Sequence, residues 1–255
     1  MRLDLFLVQN RMANSRTQAQ DFISKGYVFL KNGNEKIVLK KASYFVDEAI
    51  KERVGVEENP LQKFVSRAGL KLDLALQQID LNITGKIILD IGQSTGGFTD
   101  CLIQRGALQV VGIDVGHDQL HMSLKNNSQI KVLEGLNAKD LAKDQKFVKL
   151  VPVQKFDMLV MDVSFISITK VITHLPPFLK ANGEYLFLVK PQFECGPELL
   201  DKNGIVKESE IYLRIEKDIR NSAVQAFGSV TSYFKSEITG KDGNQEYFIY
   251  GKNNC

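Results

Sequence analysis

The fold is decided by the stretch DIGQSTGGF at residues 90–98, which lies between an apolar run and a helical one. Residues 86–90 read KIILD, the continuous apolar pattern of a strand buried in a parallel sheet, and residues 98–105 have helical spacing. In open α/β sheets, ligands bind where such a strand turns into the next helix, and glycine there lets a ligand approach the backbone. The stretch therefore predicts a ligand-binding loop, although any tight strand-to-helix turn also favours glycine.

The spacing of the glycines narrows the class of ligand. A dinucleotide-binding loop needs G-x-G-x-x-G, whereas this loop has G-x-x-x-G-G and lacks the lysine of a phosphate-binding loop. An acidic strand end followed by such a loop suits a ligand without phosphates. Asp114 ends the next predicted strand, where a carboxylate either accepts hydrogen bonds from the ribose hydroxyls of an adenosine or simply caps a helix.

Strands and helices alternate along the rest of this region. The apolar runs predict strands at residues 110–114, 130–133, 158–162 and 185–190. Helical spacing is found at residues 66–79, 98–105 and 210–227. Residues 230–235 and 247–250 are predicted to close the sheet as an antiparallel pair. The order predicts an α/β fold, a doubly wound Rossmann-like domain over residues 66–255.

The first 56 residues are predicted to form a small, separate α+β domain. Apolar spacing indicates one helix near residues 3–7 and a second that ends at Gly26, a residue that takes a left-handed conformation at low cost. Residues 27–30 and 37–39 then read as the two strands of a hairpin. Residues 57–65 break the pattern and are predicted to be a linker.

The basic residues are concentrated at the start of the chain. The formal net charge of +3 is too small to indicate nucleic-acid binding, but residues 1–41 hold eight basic and only three acidic residues. A basic arm on a nearly neutral body is typical of a domain that docks on RNA, and such contacts go mainly to phosphates. The predicted RNA-binding residues are Arg2, Arg11, Ser15, Arg16, Lys25, Lys31 and Arg67.

The cysteines and the hydropathy pattern limit the class of protein. Three cysteines without metal-ligand spacing indicate reduced thiols and no metal site. The N-terminal apolar stretch is too interrupted for a signal peptide, and no window approaches the roughly 20 apolar residues of a transmembrane helix. We therefore expect a cytoplasmic protein that does not insert stably into membranes. The oligomeric state stays open.

A second pair of candidate residues follows two apolar strands. Asp162 and Lys190 each come directly after a buried run, so both should emerge at the carboxyl edge of the sheet beside the glycine-rich loop. An unpaired buried ammonium is costly, so Lys190 is predicted to have Asp162 as its partner. The spacing alone does not distinguish a functional pair from a structural ion pair.

Five stretches carry a resemblance to a known family: SRAGLKL at 66–72, DIGQSTGGFT at 90–99, DVSFIS at 162–167, VKPQFE at 189–194 and NQEYF at 244–248. The second domain resembles the FtsJ-type ribose methyltransferases. Nearly the whole chain resembles the TlyA family of rRNA 2′-O-methyltransferases, whose members are also labelled haemolysins. The N-terminal residues resemble the RNA-binding domain of ribosomal protein S-four.

The resemblance implies a cofactor, a substrate and two sets of site residues. The cofactor is S-adenosylmethionine and the acceptor is the ribose 2′-hydroxyl of a cytidine in rRNA, within a ribosomal subunit that stays open. The implied catalytic set is Lys71, Asp162, Lys190 and Glu246. The expected cofactor-binding residues are Asp90, Gly92, Ser94, Thr95, Gly96, Gly97, Phe98, Asp114, Asn137 and Asp162, with Ser94 standing where most methyltransferases have glycine.

Within the implied catalytic set, Lys190 is the candidate for deprotonating or steering the 2′-hydroxyl. Two neighbouring lysines disfavour each other's protonation, and the two carboxylates oppose that effect. A lysine at its reference pKa of about 10.4 is a poor base at neutral pH, so it must be tuned or must mainly orient the oxygen. The division of roles between Lys71 and Lys190 stays open.

Three other interpretations remain. A membrane-active haemolysin would need a long apolar span or a basic amphipathic helix, and neither is evident. A non-catalytic ribosome-assembly factor would keep the fold without the chemistry. A methyltransferase acting on a base nitrogen tends to have Asn/Asp-Pro-Pro-aromatic after this strand, where the present chain has Asp-Val-Ser-Phe at 162–165.

Overall fold

The computed structural model of the chain describes residues 1–13, 15–33, 35–57, 63–151, 155–240 and 243–254. The chain divides into two compact units, Met1–Lys63 and Phe64–Cys255. The division falls inside the segment that was predicted to be a linker, residues 57–65. Most of that segment, residues 58–62, lies outside the described residues.

The first unit contains two helices and a small antiparallel sheet. Its elements are α1 (Leu3–Gln9), α2 (Arg16–Ser24), β1 (Val28–Asn32), β2 (Glu35–Val38) and β3 (Val54–Val56). The strands lie in the order β2-β1-β3, which confirms the predicted hairpin. The side chain of Ser15 accepts a hydrogen bond from the backbone N–H of Gln18 at the start of α2. Gly26, with φ of 78°, follows the end of α2 as expected.

The helices of the first unit bury one face each. Leu3, Leu7, Phe22 and Ile23 belong to the same apolar cluster as Val28 of β1. The three-residue strand β3 was not predicted, because a segment that short carries no readable alternation.

The second unit has a seven-stranded sheet among its described residues. The strands are β4 (Ile87–Ile91), β5 (Gln109–Asp114), β6 (Ile130–Glu134), β7 (Phe156–Met161), β8 (Leu179–Val189), β9 (Ser232–Lys235) and β10 (Tyr247–Lys252). Their order is β6-β5-β4-β7-β8-β10-β9. The first five are parallel, and β10 is antiparallel to both β8 and β9. The Rossmann-like sheet and its terminal antiparallel pair are therefore confirmed.

Helices and short 3-10 turns connect the strands of this sheet. The helices are α3 (Arg67–Gln78), α4 (Gly97–Gln104), α5 (Gln145–Leu150), α6 (Thr169–Ile172) and α7 (Ser209–Phe227). In this unit, 3-10 turns occur at Leu141–Lys143, Pro176–Phe178, Pro191–Phe193 and Pro197–Leu199, and the first unit has one at Lys51–Arg53. No helix among the described residues is both long and apolar enough to span a bilayer.

Three elements of the second unit differ from the sequence-based expectation. The helices α5 and α6 were missed because one or two turns give no clear period. Strand β8 begins at Leu179, earlier than residue 185, and its pairing with β7 is irregular between Phe156 and Met158. The sequence Asn182-Gly183 reads as a turn, and Asn182 does have a left-handed φ of 59°, but the strand continues past it.

The strand order brings four chain segments to one edge of the sheet. Because β4, β5, β7 and β8 are parallel, the residues that follow them share the carboxyl edge. Strand β10 runs the other way, and Tyr247 at its start pairs with Val189 at the end of β8. The residue before β10 therefore lies beside the residue after β8, which places Glu246 near Lys190.

Candidate active site

The loop after β4 is shaped by close backbone contacts. Gly92 has φ of 81°, and a Cβ atom there would lie 2.6 Å from the carbonyl oxygen of Asp162. Its N–H donates to the carbonyl oxygen of Ile113 at 2.9 Å. Only glycine fits this position, since both the space and the backbone conformation exclude a side chain. The loop is thereby held between the ends of β5 and β7.

Ser94 stands in this loop at a position whose backbone conformation favours glycine. Its φ is 48°, in the left-handed region. Its N–H donates to Asp114 Oδ2 at 2.8 Å, and its hydroxyl donates to Gln119 Oε1 at 3.1 Å. Asp114 Oδ1 also accepts the N–H of Gly116 at 2.7 Å. One carboxylate thus fixes both loops that flank the predicted cofactor site.

A cavity of about 410 Å³ opens beside this loop. The predicted cofactor residues that line it are Gly92, Ser94, Asp114, Asn137 and Asp162. A smaller cavity of about 170 Å³ shares Gly92, Ser94 and Asp162 with the first and is also lined by Thr95, Gly97 and Phe98. The two remaining predicted residues, Asp90 and Gly96, line neither cavity. A Cβ on Gly96 would meet Leu120 and Leu124, so that glycine serves the packing of the loop.

Asp90 lies fully buried beneath the loop. Its Oδ2 accepts a hydrogen bond from Thr99 Oγ1 at 2.6 Å, and Thr99 Oγ1 accepts one from Gln93 Nε2 at 2.8 Å. Its Oδ1 has no hydrogen-bond partner among the described residues. Burial raises the pKa of Asp90 to about 7, and the negative charges of Asp162 and Asp114 add to the rise against the opposing Thr99 hydrogen bond.

The predicted ion pair at the ends of β7 and β8 is present. Lys190 Nζ lies 2.6 Å from Asp162 Oδ1, and both side chains are largely buried. Lys190 Nζ also donates to the hydroxyl of Ser164 at 2.8 Å. Asp162 lines the larger cavity, and Lys190 does not. The pair therefore lies at one border of that cavity.

Lys71 and Glu246 form a second, more deeply buried pair. Lys71 Nζ donates to Glu246 Oε2 at 2.5 Å. Burial raises the pKa of Glu246, while the charges of Lys71 and Lys190 oppose the rise and that of Asp162 adds to it. The four residues implied by the family resemblance are thus brought together, with two ammonium and two carboxylate groups in one cluster.

A third cavity, of about 370 Å³, lies on the other side of Lys190. Ser164 and Phe165 line both this cavity and the larger one. The remaining lining residues are Lys71, Lys190, Gln192, Phe193, Leu200, Asn203, Gly204, Asn244 and Glu246. We call this third cavity the acceptor cavity. Lys190 and Ser164 line both it and the smaller cavity beside the glycine-rich loop, so the Lys190–Asp162 pair lies where the cofactor-side cavities meet the acceptor cavity.

Phe165 was missed by the sequence reasoning as a site residue. It is 90% exposed, has a left-handed φ of 63°, and its ring centroid lies 5.1 Å from that of Phe193. A large aromatic residue with positive φ is a backbone outlier, and such outliers cluster at functional sites. The signal available in the sequence was an aromatic residue three positions after a strand-end aspartate.

Two further residues that were not assigned from the sequence connect loops near the acceptor cavity: Asn244, which lines it, and Glu194, which does not. Glu194 accepts hydrogen bonds from Ser167 Oγ at 2.5 Å and the Ile168 N–H at 2.9 Å, which joins the loops after β7 and β8. Burial raises the pKa of Glu194. Asn244 donates to the carbonyl oxygen of Gly204 at 2.9 Å, across that cavity's wall.

Six of the predicted RNA-binding residues lie in the first unit. Arg2 and Arg16 both contact Asp4, while Lys25 pairs with Asp21 at 2.7 Å. The other members of the set are Arg11 and Lys31, which are exposed, Ser15, which caps α2, and Arg67, whose guanidinium donates to the Thr239 carbonyl oxygen at 3.3 Å. Their contact with RNA stays a prediction.

The chain belongs to the FtsJ-like methyltransferase family, whose model matches residues 64–253. It is 37% identical over 250 residues to a putative rRNA methyltransferase, YqxC, of Bacillus subtilis, covering 98% of this chain and 84% of that protein. It is 33% identical to the 23S rRNA (cytidine-2′-O)-methyltransferase TlyA of Campylobacter jejuni, covering 98% of both chains.

Solved structures give the same fold. A putative haemolysin from Streptococcus thermophilus superimposes with a TM-score of 0.71 at 31% identity, covering 99% of this chain and 88% of that one. A putative S-adenosylmethionine-dependent methyltransferase from Listeria monocytogenes shares the fold at 14% identity, with a TM-score of 0.53 over 72% of this chain and 98% of its own. The protein is therefore a methyltransferase enzyme, and its cofactor is S-adenosylmethionine.

The residues around the larger cavity fit this cofactor. Asp114 and Asp162 supply negative charge for a ligand with a sulfonium and an ammonium group. Leu136 and Ala138 supply apolar wall for an adenine ring. Gly92 lines the cavity without a side chain, so a ligand can reach the backbone of the loop.

Proposed function

We propose that the protein methylates the ribose 2′-hydroxyl of a cytidine in ribosomal RNA. The single observation that carries the proposal is the Lys190–Asp162 pair, 2.6 Å apart, between the cofactor-side cavity and the acceptor cavity. A nucleophile in the acceptor cavity would meet the methyl donor beside these two side chains. The nature of the acceptor is supported by the relative from Campylobacter jejuni, whose name specifies cytidine 2′-O-methylation of 23S rRNA.

The cofactor supplies an activated methyl group, and residues of the chain hold that group in place. Asp114 and Asn137 line the part of the cavity away from Lys190, while Asp162 lines the part next to it. We expect Asp114 to accept hydrogen bonds from the ribose hydroxyls of the cofactor. We expect Asp162 to attract its positively charged sulfonium and ammonium groups. Holding donor and acceptor in line at roughly 3 Å contributes a large part of such a rate enhancement.

Lys190 is placed to act on the 2′-hydroxyl. Its ammonium group already forms an ion pair with Asp162 and donates a hydrogen bond to the hydroxyl of Ser164, so its orientation is fixed before the substrate arrives. We propose that the ammonium group orients the 2′-oxygen, and that Lys190 accepts the hydroxyl proton in those molecules in which it has first released one of its own protons to solvent. Lys71 and Glu246 line the acceptor cavity as a charge-balanced pair, and we propose that they fix the ribose.

Phe165 and Phe193 suit the base of the target nucleotide. Aromatic side chains stack on the bases of splayed-out nucleotides in RNA recognition. Phe165 presents its ring to solvent at the border of the acceptor cavity, beside Ser164. A base stacked there would leave its ribose close to Lys190.

The proposal is tested by methyl transfer to ribosomal subunits from cells that lack the enzyme. We expect Lys190→Ala to lower the rate at least about a hundredfold, as loss of a general acid–base group does, and to change the cofactor affinity far less than the rate. Mass spectrometry and resistance to alkaline cleavage would place the methyl group on a ribose. A methyl group on a base, or full activity of Lys190→Ala, would contradict the proposal.

The chain offers a matched control for this variant. Lys180 and Asp157 also lie on β8 and β7, and their charged atoms are also 2.6 Å apart, but they lie near the opposite ends of the two strands. Because that pair is remote from the cavities, Lys180→Ala should keep full activity. Equal losses in both lysine variants would indicate a general effect on the sheet.

A membrane-active haemolysin is the alternative that the names of relatives suggest. Release of a dye from liposomes, measured on the same preparation used for methyl transfer, separates the two functions. We expect methyl transfer without leakage. The proposed substrate also implies that the enzyme works in the cytoplasm, on an assembled or assembling ribosomal subunit.

A further inference from the structure

The loop after β7 is held at both of its ends by the segment that follows β8. We call this loop, residues 162–168, the acceptor loop. Its first residue, Asp162, pairs with Lys190 at 2.6 Å, and the Asp162 N–H donates to the carbonyl oxygen of Ile91 at 2.9 Å. Its last two residues are held by Glu194, four positions after Lys190. The acceptor loop therefore has a fixed start and a fixed end.

The carboxylate of Glu194 makes both contacts at the end of the acceptor loop. Its Oε2 accepts a hydrogen bond from Ser167 Oγ at 2.5 Å, and its Oε1 accepts one from the Ile168 N–H at 2.9 Å. One 3-10 turn, Pro191–Phe193, separates Glu194 from Lys190. The distance between the two residues that hold the loop is thus set by one short turn of backbone.

A carboxyl group is kept in this place at a cost. Burial raises the pKa of Glu194, which means that the surroundings disfavour its ionised form. An apolar side chain would fill the same space without the cost of burying a polar group. The two hydrogen bonds to the acceptor loop are therefore what Glu194 adds at this position.

Between its fixed ends the acceptor loop carries a strained aromatic residue. Phe165 has a left-handed φ of 63° and is 90% exposed. A residue in such a conformation stays there only when the structure on both sides of it fixes the backbone. Its ring centroid lies 5.1 Å from that of Phe193, the residue directly before Glu194. The same segment thus contacts the strained residue and holds the loop that carries it.

We propose that Glu194 is a positioning residue for methyl transfer, because it holds the acceptor loop in the form that presents the Phe165 ring to the target base. The inference rests on the proposed function in one respect, that this ring stacks on the base of the target nucleotide. Fixing the ring before RNA binds lowers the entropy lost on binding. The held loop also keeps Asp162 and Ser164 in contact with Lys190.

A purely structural role for Glu194 predicts a different result. Ile168 is buried in the apolar core and directly precedes α6, so an anchor for the core alone would use the same two bonds. In that case the loss of Glu194 would lower stability and leave the folded enzyme fully active. The positioning role predicts lost activity in protein that remains folded.

The first test is steady-state methyl transfer to ribosomal subunits from cells that lack the enzyme, with folding checked by circular dichroism. Glu194→Ala removes both bonds, and we expect kcat/KM for the subunit to fall by about tenfold to a hundredfold, as it does when reacting groups are misplaced. Glu194→Gln keeps an acceptor for the Ile168 N–H and gains a donor for the Ser167 oxygen, so it should retain most of the activity. Equal losses in both variants, or full activity of folded Glu194→Ala, would overturn the inference.

The second test observes the acceptor loop without any substrate. The chain has no tryptophan, so Phe165→Trp introduces a single indole into the loop. The decay of its fluorescence anisotropy reports motion on the nanosecond scale of loops. Adding Glu194→Ala to this variant should increase the amplitude of that motion, and adding Glu194→Gln should leave it unchanged. Identical decays in all three chains would show that Glu194 does not fix the loop.

Asp157→Ala is the matched control for both tests. The Asp157 carboxylate also accepts one backbone N–H, from Ile87 at 2.8 Å, and one side-chain donor, from Lys180 at 2.6 Å. It lies at the start of β7, at the edge of the sheet away from the acceptor loop. We expect it to leave kcat/KM and the motion of the indole unchanged. A loss as large as that of Glu194→Ala would show a general effect on the sheet and overturn the inference.

Ser167→Ala keeps the tests decisive if Glu194→Ala does not fold. It removes one of the two bonds from the side of the loop and leaves the bond from the Ile168 N–H in place. The loss of one hydrogen bond should lower kcat/KM by about threefold to tenfold and increase the motion of the indole. Unchanged activity together with unchanged motion would overturn the inference.

The inference and the proposed function fail separately, because the anisotropy measurement needs neither RNA nor methyl transfer. A wild-type chain that methylates no ribosomal RNA would overturn the proposed function. If Glu194→Ala still loosened the loop in that case, the role of Glu194 in holding it would stand.

Discussion

The protonation of the Asp90 carboxyl group depends strongly on the residues around it. In the sequence it is the acidic residue at a strand end, next to the glycine-rich loop. In the fold it lies below that loop, bonded to Thr99 and with one oxygen unpartnered. Its contact with the cofactor stays a prediction, but its protonation has a consequence for stability that can be measured.

We predict that Asp90 makes the folded protein less stable as pH rises from about 4 to about 7. The unfolded chain releases this proton near the ordinary pKa of 3.8, whereas the folded chain keeps it until about pH 7. Between these values the folded state binds the extra proton, so the free energy of unfolding falls with rising pH. Asp90→Asn should remove this part of the dependence and gain relative stability above pH 7.

Thermal unfolding of the cofactor-free protein between pH 5 and 8 tests this prediction. The midpoint of the wild-type chain should fall more steeply with pH than that of Asp90→Asn, by a few degrees over the range. Asp80→Asn, a change at an exposed carboxylate, controls for the altered net charge. Parallel curves for wild type and Asp90→Asn would show that Asp90 is ionised in the fold.

Some of the site residues could be predicted from the sequence, and others could not. The partnership of Asp162 and Lys190 was predictable, because both follow apolar strands and a buried ammonium needs a partner. Lys71 and Glu246 were indicated only by family resemblance, since a lone lysine on a helix carries no signal of burial. Phe165 was missed because what marks it is its exposure and its backbone conformation, neither of which a sequence pattern reports.

At the scale of elements, α3 and α4 are in close contact at two glycines. A Cβ on Gly69 of α3 would lie 2.7 Å from the carbonyl oxygen of Gly97 and 2.5 Å from Cβ of Phe64. A Cβ on Gly97 would lie 2.1 Å from the hydroxyl of Ser66. The helix that carries Lys71 is therefore seated directly on the start of the helix that follows the cofactor loop.

We predict that Gly69→Ala shifts α3 and impairs methyl transfer more than cofactor binding. The added methyl group meets backbone that cannot move freely, and overpacking of this kind costs about 1–3 kcal/mol of stability. Because Lys71 lies half a turn further along α3, its bond to Glu246 should lengthen.

Steady-state rates and cofactor titration, both below the unfolding temperature, check this expectation. Gln78→Ala, at an exposed position of the same helix, should leave both quantities unchanged. Wild-type activity in folded Gly69→Ala would mean that the position of α3 does not control the site.

The elements themselves were largely predictable, and the exceptions have physical reasons. Long apolar runs marked the strands of the parallel sheet, because burial on both faces leaves no polar alternation. Short elements such as β3, α5 and α6 carry too few residues for a period, and their existence depends on tertiary contacts. The strand order, and hence the meeting of Glu246 with Lys190, is a property of pairing that no local pattern contains.

At the scale of the whole molecule, the excess of basic residues and the candidate catalytic residues lie in different units. Residues 1–41 of the first unit have a marked excess of basic residues, whereas the candidate catalytic cluster of the second unit is balanced. This asymmetry was readable from the sequence.

We predict that salt weakens RNA binding without weakening cofactor binding. Neutralising several phosphates releases counterions, so the RNA affinity should fall steeply between about 50 and 200 mM salt. S-adenosylmethionine has no phosphate, and the glycine-rich loop beside its cavity lacks the lysine of a phosphate-binding loop. Anisotropy with RNA and calorimetry with the cofactor, each across the same salt series, measure the two slopes. Equal slopes would mean that RNA affinity does not depend on the basic arm.

The position of β10 has a consequence for the timing of synthesis. Glu246 enters the site from the last strand of the sheet, 175 residues after its partner Lys71, and β10 also covers the open edge of β8. A nascent chain that has left the ribosome only as far as α7 has the cofactor loop but neither Glu246 nor a covered β8. Under the proposed function, methyl transfer therefore begins only after β10 has emerged and paired with β8.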